Sequence, residues 1–281
     1  MNHKEILDKS LNKALNGGIA GSGAMAFQVG SMMWLRTTLN YQYKHGGTFI
    51  NNIKYLYNQG GIPRFYRGLT PALLQAPLSR FGDTAANIGV MTYLDSNPNT
   101  KNLPLSIKTF CGSTIAGLWR INLMPIDTCK TINQVHGKKG YQILKNKIRV
   151  NGVGVLYHGG LGAFGNTLMG HFPWFFTYNT LSSKIPKIDN DNIFLKMTRL
   201  AAIGFTSSFV SDSVSNVARV VKVSKQTSTE TESYRTIVKK ILNEGGLKEL
   251  FGRGLKTKII INGIQGVVFV IVWNTIQDVL N

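Results

Sequence analysis

Long segments without charge alternate along the chain with polar connectors that are rich in lysine and arginine. Three stretches contain no Asp, Glu, Lys or Arg: Ala14–Leu35, Leu161–Ser183 and Ile259–Gln277. A helix needs roughly 20 mostly apolar residues to cross the hydrocarbon core of a bilayer, and each of these stretches has about that length. Three further apolar stretches carry a few charges: Pro71–Leu94, Pro104–Gln134 and Phe194–Val223. The pattern predicts an all-α membrane protein with six transmembrane helices; the alternative is a soluble protein with buried helices.

The connectors carry a charge asymmetry. Tyr41–Tyr66 and Val135–Tyr157 have basic residues and no acid, and Lys222–Arg253 has seven Lys or Arg against four acids. The connectors Asp95–Leu103 and Ser182–Ile193 are short and nearly neutral. Membrane proteins with the positive-inside bias show this alternation. It accounts for the net charge of +19 without a nucleic-acid partner, because the basic residues are divided among three loops.

A glycine motif occurs three times along the chain, at intervals of about 90 residues. The copies read QGGIPRFYRG (59–68), NGVGVLYHG (151–159) and EGGLKELFGRG (244–254). A short amphipathic stretch precedes each copy: Phe49–Tyr57, Ile143–Val150 and Ile237–Leu242. The spacing predicts three repeats, each with a helix, a basic loop containing a short helix, and a second helix. Their expected bounds are 1–100, 101–187 and 188–281.

The second repeat contains Pro125-Ile-Asp127-Thr-Cys-Lys130, which is followed by Gln134. Together with the threefold repeat and the glycine motifs, this sequence resembles the mitochondrial carrier family, and the chain looks like a divergent member. The resemblance covers nearly the whole chain. It implies six transmembrane helices in three pseudo-symmetric repeats with short matrix helices, in the inner mitochondrial membrane. A peroxisomal or plastid membrane is the alternative location.

The resemblance also implies a matrix gate, in which each acid of the motif pairs with the base of the next odd-numbered helix. The first repeat has Ser31, Met33 and Asn40 where the family has proline, acid and glutamine. We align the third repeat so that Arg219 is the base and Asn216 replaces the acid. Asp127 is then expected to pair with Arg219, while Arg36 faces Asn216 and Lys130 faces Met33. The expected gate residues are Arg36, Asp127, Lys130, Gln134, Asn216 and Arg219. The alternative is that the cations only mark the positive-inside edge.

The family binds substrate on the even-numbered helices, seven to eight residues after the signature glycine. Helical spacing and expected depth in the membrane add the remaining residues of the predicted site. The expected substrate-binding residues are Gln75, Arg80, Asp83, Arg120, Asn166, Thr167, His171, Asn262 and Gln265.

The mid-depth charges have two interpretations. Arg80 and Arg120 would hold a substrate anion, and Asp83 would bind a substrate amine or carry a proton. Alternatively, Asp83 neutralises Arg80 one helical turn away, or it pairs with Arg120.

We expect the protein not to be an enzyme, because the sequence has no catalytic motif and its five histidines have no metal-ligand spacing. No metal and no cofactor are expected. The predicted function is a carrier-type transporter that moves a small anionic or zwitterionic metabolite by alternating access. The alternative is a transport-silent membrane adaptor, which the missing gate charges favour. The expected partners are the substrate and the bilayer, including an anionic lipid such as cardiolipin at the matrix-side helix ends; the protein is expected to be a monomer.

Overall fold

A computed structural model describes residues 3–186 and 193–265 of the chain, and these residues form helices and turns without a strand. The all-α prediction is therefore confirmed. The α-helices are α1 (His3–His45), α2 (Phe49–Asn58), α3 (Gly61–Phe65), α4 (Leu69–Ser96), α5 (Leu105–Asn122), α6 (Met124–His136), α7 (Gly140–Asn151), α8 (Gly160–Lys184), α9 (Ile193–Thr227) and α10 (Tyr234–Gly252). Residues 255–265 are also helical.

The first two repeats have the same order of elements: a long helix is followed by a short amphipathic helix, a glycine-containing turn and a second long helix. The third repeat has the same order as far as it is described, which for its last helix is 255–265. The predicted amphipathic stretches lie within α2, α7 and the first part of α10. The backbone of α10 changes direction at Gly246, whose φ is 68°. The predicted boundary between residues 187 and 188 lies outside the described residues, as does most of the stretch Ile259–Gln277.

The first long helix of each repeat is α1, α5 with α6, or α9. Two of these three change direction near the position of Pro125 in the carrier motif. In the second repeat, α5 ends at Asn122 and α6 begins at Met124, immediately before Pro125. A proline fits the first turn of a helix because its missing N–H has no intrahelical partner there. α1 bends at Met32 (φ −112°, ψ 19°), although Ser31 replaces the proline. In the third repeat, α9 continues for 35 residues.

Long helices that follow each other in the chain pack side by side. α1 packs on α4, α4 on α5, α5 on α8 and α8 on α9, and α9 returns to contact α1. Small residues allow the closest approach: a Cβ atom at Gly82 would lie only 1.9 Å from Cδ1 of Trp119. The Trp119 indole then donates a hydrogen bond to the Leu78 carbonyl at 2.9 Å. The packing places the polar faces of several long helices around shared cavities.

No helix within 3–186 and 193–265 combines the length and the apolar character that crossing a membrane requires. The six transmembrane helices stay a prediction.

Candidate binding cavities and gate

A cavity of about 460 Å³ lies between α4, α5, α8 and α9. We call it the Arg80 cavity. Six of the nine residues predicted to bind substrate line it: Arg80, Asp83, Arg120, Asn166, Thr167 and His171. Trp174 contributes an aromatic wall, which stacks on Tyr178 with ring centroids 5.0 Å apart. The sequence therefore identified most of this cavity.

Asp83 pairs with Arg120 across the interface of α4 and α5. Nε of Arg120 donates to Oδ1 of Asp83 at 3.2 Å, and Nη2 donates to Oδ2. The side chains are 28% exposed for Arg120 and 14% exposed for Asp83. Of the arrangements considered for Asp83, pairing with Arg120 is the one that the structure contains. Because its charge is balanced by Asp83, Arg120 is a weaker candidate for holding a substrate anion.

Arg80 is exposed to the Arg80 cavity and forms no ion pair with any residue in the described part of the chain. Asp83 lies one turn further along α4 but is engaged by Arg120. On the opposite wall, the buried Oδ1 of Asn166 has no hydrogen-bond partner among the described residues. The cavity therefore offers a planar cationic donor, which suits a carboxylate or phosphate, and a neutral acceptor, which suits an amine or hydroxyl.

The three remaining residues predicted to bind substrate, Gln75, Asn262 and Gln265, do not line the Arg80 cavity. Gln75 and Gln265 line a smaller cavity of about 230 Å³, which we call the Lys258 cavity. Asn262 donates to Asp212 and accepts a hydrogen bond from Lys258. Oε1 of Gln75 accepts a hydrogen bond from Lys130 at 3.0 Å, and both residues line the Lys258 cavity. Arg219 lines both cavities.

Asp127 forms the central ion pair of the predicted gate, but its partner is not Arg219. Its carboxylate accepts from Lys130 at 2.6 Å on α6 and from Lys222 at 2.6 Å on α9. Arg219 instead pairs with Asp212 at 2.5 Å on its own helix. The alignment of the third repeat was three residues too early, so the base that faces Asp127 lies one turn further along α9.

A signal for the correct alignment was present in the sequence. Gln226 lies four residues after Lys222, as Gln134 lies four residues after Lys130. In the structure, Nε2 of Gln226 donates to Oδ2 of Asp127 at 3.0 Å. The position of the motif acid is then occupied by Arg219, so a cation replaces a carboxylate there.

Two other gate expectations are corrected. Lys130 was expected to face Met33 without a partner, but it contacts Asp127 and Gln75. Asn216 was expected opposite Arg36. It donates to the carbonyls of Phe251 at 2.8 Å and Arg253 at 3.1 Å, which places its amide at the end of α10.

Gln134 is fixed by the first repeat. Its Oε1 accepts a hydrogen bond from Nδ2 of Asn40 at 2.5 Å, and its Nε2 lies 3.5 Å from the sulfur of Met33. Arg36 donates to Oε1 of Gln28 at 3.2 Å within α1. The amides therefore connect α1 and α6 where the first repeat has no acid.

The signature glycines place the second long helix of each repeat against the first long helix of the next repeat. A Cβ at Gly68 would lie 2.8 Å from the carbonyl oxygen of Lys130, and one at Gly159 would lie 2.9 Å from Cγ of Gln226. A Cβ at Gly254 would lie 2.7 Å from Cε1 of Tyr43, which closes the cycle on the first repeat. Gly159 also approaches the carbonyl of Lys222, as Gly68 approaches that of Lys130, so both bases occupy equivalent positions.

Within the described residues, no group of three or more His, Cys, Asp or Glu side chains is arranged to hold a metal ion.

Comparison with known proteins shows a distant similarity. No family model matches the chain. A mitochondrial carrier-like protein of Acanthamoeba polyphaga mimivirus is 26% identical over 148 residues. The matched region spans 53% of this chain and 57% of that relative, which is little more than half of each. The similarity supports a carrier-type protein at a distance, and it does not extend to a substrate or a location.

Proposed function

We propose that the protein is a carrier-type transporter that moves a small anionic or zwitterionic metabolite across a membrane by alternating access. The observation that carries the proposal is the position of Arg80, a cation without a carboxylate partner among the described residues, in the wall of the Arg80 cavity. The similarity to a mitochondrial carrier-like protein supports the class of protein. It also makes the inner mitochondrial membrane the first location to test.

The chemistry of the Arg80 cavity suits a small polar solute. The guanidinium of Arg80 presents a planar fork that binds a carboxylate or phosphate at two points. Oδ1 of Asn166 can accept a hydrogen bond from an amine or hydroxyl of the same solute. The volume of about 460 Å³ lies in the range that small-molecule sites usually have, about 300–1,000 Å³.

Uptake into liposomes tests the proposal. The purified chain is reconstituted and challenged with labelled small carboxylates, amino acids and phosphate. Arg80→Gln is expected to lower uptake at least about tenfold, since one lost charge-assisted hydrogen bond is worth about 1.5–3 kcal/mol. Arg80→Lys should recover only part of the activity, because an ammonium lacks the planar fork. Lys54→Gln, which removes an exposed charge on α2, is the matched control.

A stability measurement accompanies this test. Because Asp83 is engaged by Arg120, Arg80→Gln strands no carboxylate, and its thermal unfolding should match that of the parent. Uptake by Arg80→Gln at the parent rate would contradict the role of Arg80.

A transport-silent adaptor is the second candidate. Met33 and Arg219 occupy the positions of two gate carboxylates, which favours this candidate. With these carboxylates missing, fewer ion pairs can form and break at the gate during a transport cycle. Absence of uptake by a folded parent protein for every solute of the panel would favour the adaptor.

A further inference from the structure

The Arg80 cavity has an aromatic wall on α8. His171, Trp174 and Phe175 all line it. The indole of Trp174 stacks on Tyr178, with the ring planes 9° apart and the ring centroids 5.0 Å apart. The indole N–H donates to Oγ of Ser208 at 3.3 Å. Because Tyr178 covers one face and Ser208 engages the N–H, Trp174 presents apolar ring surface to the cavity.

The orientation of Trp174 is fixed by its neighbours. Phe175 meets the indole edge-on, at an interplanar angle of 81° and a centroid distance of 4.9 Å. The stacked ring of Tyr178 and the hydrogen bond to Ser208 hold it from two further directions. Aromatic pairs gain binding energy beyond that of the area they bury. A fixed indole in a cavity wall therefore favours a ligand with a flat ring over one with an aliphatic ring of similar size.

The charges of the wall limit the charge of the ligand. Three arginines line the cavity. Arg120 pairs with Asp83, and Arg219 pairs with Asp212 at 2.5 Å. Among the described residues, only the third arginine, Arg80, is without a carboxylate partner. A ligand with a single negative charge balances this wall, whereas a ligand with several phosphates would bring an excess of negative charge into it.

The positions along the helices place the groups of the ligand. α4 and α8 begin at equivalent glycines, Gly68 and Gly159. Arg80 is 12 residues after Gly68, while Asn166 and Trp174 are 7 and 15 residues after Gly159. At about 1.5 Å per residue, Trp174 is then about 4.5 Å further along the helix axis than Arg80, and Asn166 is about 7.5 Å less far. A carboxylate on Arg80 therefore has the indole on one side and the Asn166 amide on the other.

Asn166 indicates which polar group accompanies the carboxylate. Its Oδ1 is buried and has no hydrogen-bond partner among the described residues. A buried acceptor without a donor costs free energy, so this oxygen favours a ligand that donates. A hydroxyl suits it better than an ammonium, because Arg80 repels a second positive charge and Asp83 is engaged by Arg120.

We propose that the Arg80 cavity binds aromatic α-hydroxy acids, with the carboxylate on Arg80, the hydroxyl on Asn166 and the ring against Trp174. In such an acid one carbon carries the carboxylate, the hydroxyl and the arm that bears the ring, which matches the three positions in the wall. The inference rests on the proposed transporter function and specifies its substrate class. Trp174 is the residue that determines specificity for a flat ring.

Four matched acids test the proposal on the purified full-length protein: phenyllactate, cyclohexyllactate, phenylpropanoate and phenylalanine. They lack, in turn, nothing, the flat ring, the hydroxyl, and the neutral charge of the donor. Affinities follow from the saturable rise of the unfolding midpoint with concentration. Phenyllactate should bind best, with cyclohexyllactate and phenylpropanoate each about two- to tenfold weaker and phenylalanine also weaker.

Simple burial of apolar area predicts a different order, because the cyclohexyl ring is at least as apolar as the phenyl ring. Cyclohexyllactate that binds as well as phenyllactate, or phenylalanine that binds best of the four, overturns the proposal.

Two tryptophan variants locate the origin of the ring preference. Trp174→Leu should bind phenyllactate and cyclohexyllactate equally, while it still prefers phenyllactate to phenylpropanoate. Trp34→Leu is the matched control, since Trp34 lies on α1, is 37% exposed and is outside the wall of the Arg80 cavity. It should keep both preferences. The parent's ring preference in Trp174→Leu, or its loss in Trp34→Leu, overturns the role of Trp174.

Asn166→Leu gives a second test that does not require Trp174→Leu to fold. It should lose the preference for phenyllactate over phenylpropanoate and keep the preference for the flat ring. An unchanged preference for the hydroxyl contradicts the proposed position of the ligand.

Uptake of labelled phenyllactate into liposomes distinguishes this inference from the proposed function. Selective binding of phenyllactate without uptake by the folded protein overturns the transporter and leaves the ligand class in place. Uptake of other solutes by a protein that does not bind phenyllactate overturns the ligand class and leaves the transporter in place.

Discussion

At the scale of single residues, two carboxylates of this protein pair with cations across helix interfaces. Asp127 on α6 contacts Lys222 on α9, and Asp83 on α4 contacts Arg120 on α5. These carboxylates are largely buried, so removal of one partner leaves an uncompensated charge. The identity of each partner therefore determines the effect of a substitution.

A double-mutant cycle tests the partner of Asp127. Asp127→Asn and Lys222→Met should each destabilise the protein, and the two changes should couple by on the order of 1 kcal/mol or more. The cycle of Asp127→Asn with Arg219→Met should show a clearly smaller coupling, because Arg219 pairs with Asp212. Unfolding free energies in detergent provide the measurement, and the reverse order of the two couplings would restore Arg219 as the partner.

The buried ammonium of Lys147 should make the stability of the protein depend on pH. It is buried in α7, and its ammonium donates to the carbonyl of Ser228 at 2.7 Å. Burial, together with the nearby cations Lys225 and Lys44, lowers its pKa from 10.5 to about 8. Between these pKa values the unfolded chain binds more protons than the folded chain, so stability rises with pH from about 8 to 10.5.

Lys147→Met should remove this component of the pH dependence. The measurement is the difference in unfolding free energy between parent and variant from pH 7 to pH 10.5. The exposed neighbour Lys145, changed to Met, is the control and should keep the parent slope. A Lys147→Met protein with the parent's slope would show that the ammonium of Lys147 is not desolvated in the folded protein.

At the scale of elements, glycines determine how closely the helices of neighbouring repeats approach. Gly68 begins α4 in the left-handed conformation (φ 84°) with no room for a Cβ beside the carbonyl of Lys130. Gly159 occupies the same position at the start of α8, with φ 92°. The glycine motif that repeats in sequence is therefore a packing device between one repeat and the next.

Gly68→Ala should destabilise the protein by roughly 1–3 kcal/mol, through the left-handed backbone and the contact with Lys130. Gly204→Ala is the matched control, since it lies within α9 and a Cβ there meets nothing within 4 Å. It should be neutral or stabilise by up to about 1 kcal/mol, because alanine favours helix. Thermal unfolding of both variants checks this, and equal effects would contradict the packing role of Gly68.

At the scale of the whole molecule, a cyclic set of basic side chains joins the repeats. Arg64 of the first repeat donates to the carbonyls of Gln134 and Val135 at the end of α6, both at 2.8 Å. Lys147 of the second repeat reaches the end of α9 in the same way, at Ser228. Arg253 of the third repeat donates to the carbonyl of Lys44 near the end of α1 at 3.1 Å. The first long helix of each repeat ends at α1, α6 or α9. Its C-terminal carbonyls, which lack intrahelical partners, thus accept hydrogen bonds from the preceding repeat.

Loss of one such contact should weaken the whole assembly. Arg64→Met and Arg253→Met should each lower the free energy of unfolding by roughly 1–3 kcal/mol, since buried carbonyls lose charge-assisted hydrogen bonds. Lys54→Met, an exposed change on α2, should stay within about 0.5 kcal/mol of the parent. Unfolding monitored by circular dichroism compares the three, and an Arg64→Met protein as stable as Lys54→Met would contradict the cyclic arrangement.

The sequence by itself determined the helices, their threefold order and most of the Arg80 cavity. These features depend on local patterns: apolar periodicity, the glycine motifs and polar residues such as Arg80 and His171 at helical spacing. Such patterns identify the elements and the faces that bear polar groups, and a face is fixed by spacing within one helix.

Only the tertiary structure decided which charges meet. Asp83 has Arg80 one turn away on its own helix, yet its partner is Arg120 on the next. Asp127 meets Lys222 and not Arg219, which lies one turn earlier on α9. One turn of helix is about 5.4 Å, which is longer than an ion-pair contact, so an alignment error of three residues exchanges the partner. The division of the predicted contacts between two cavities has the same origin: the axial position of one helix against another depends on packing at sites such as Gly68, Gly159 and Gly254, and the spacing of residues within a single helix does not determine it.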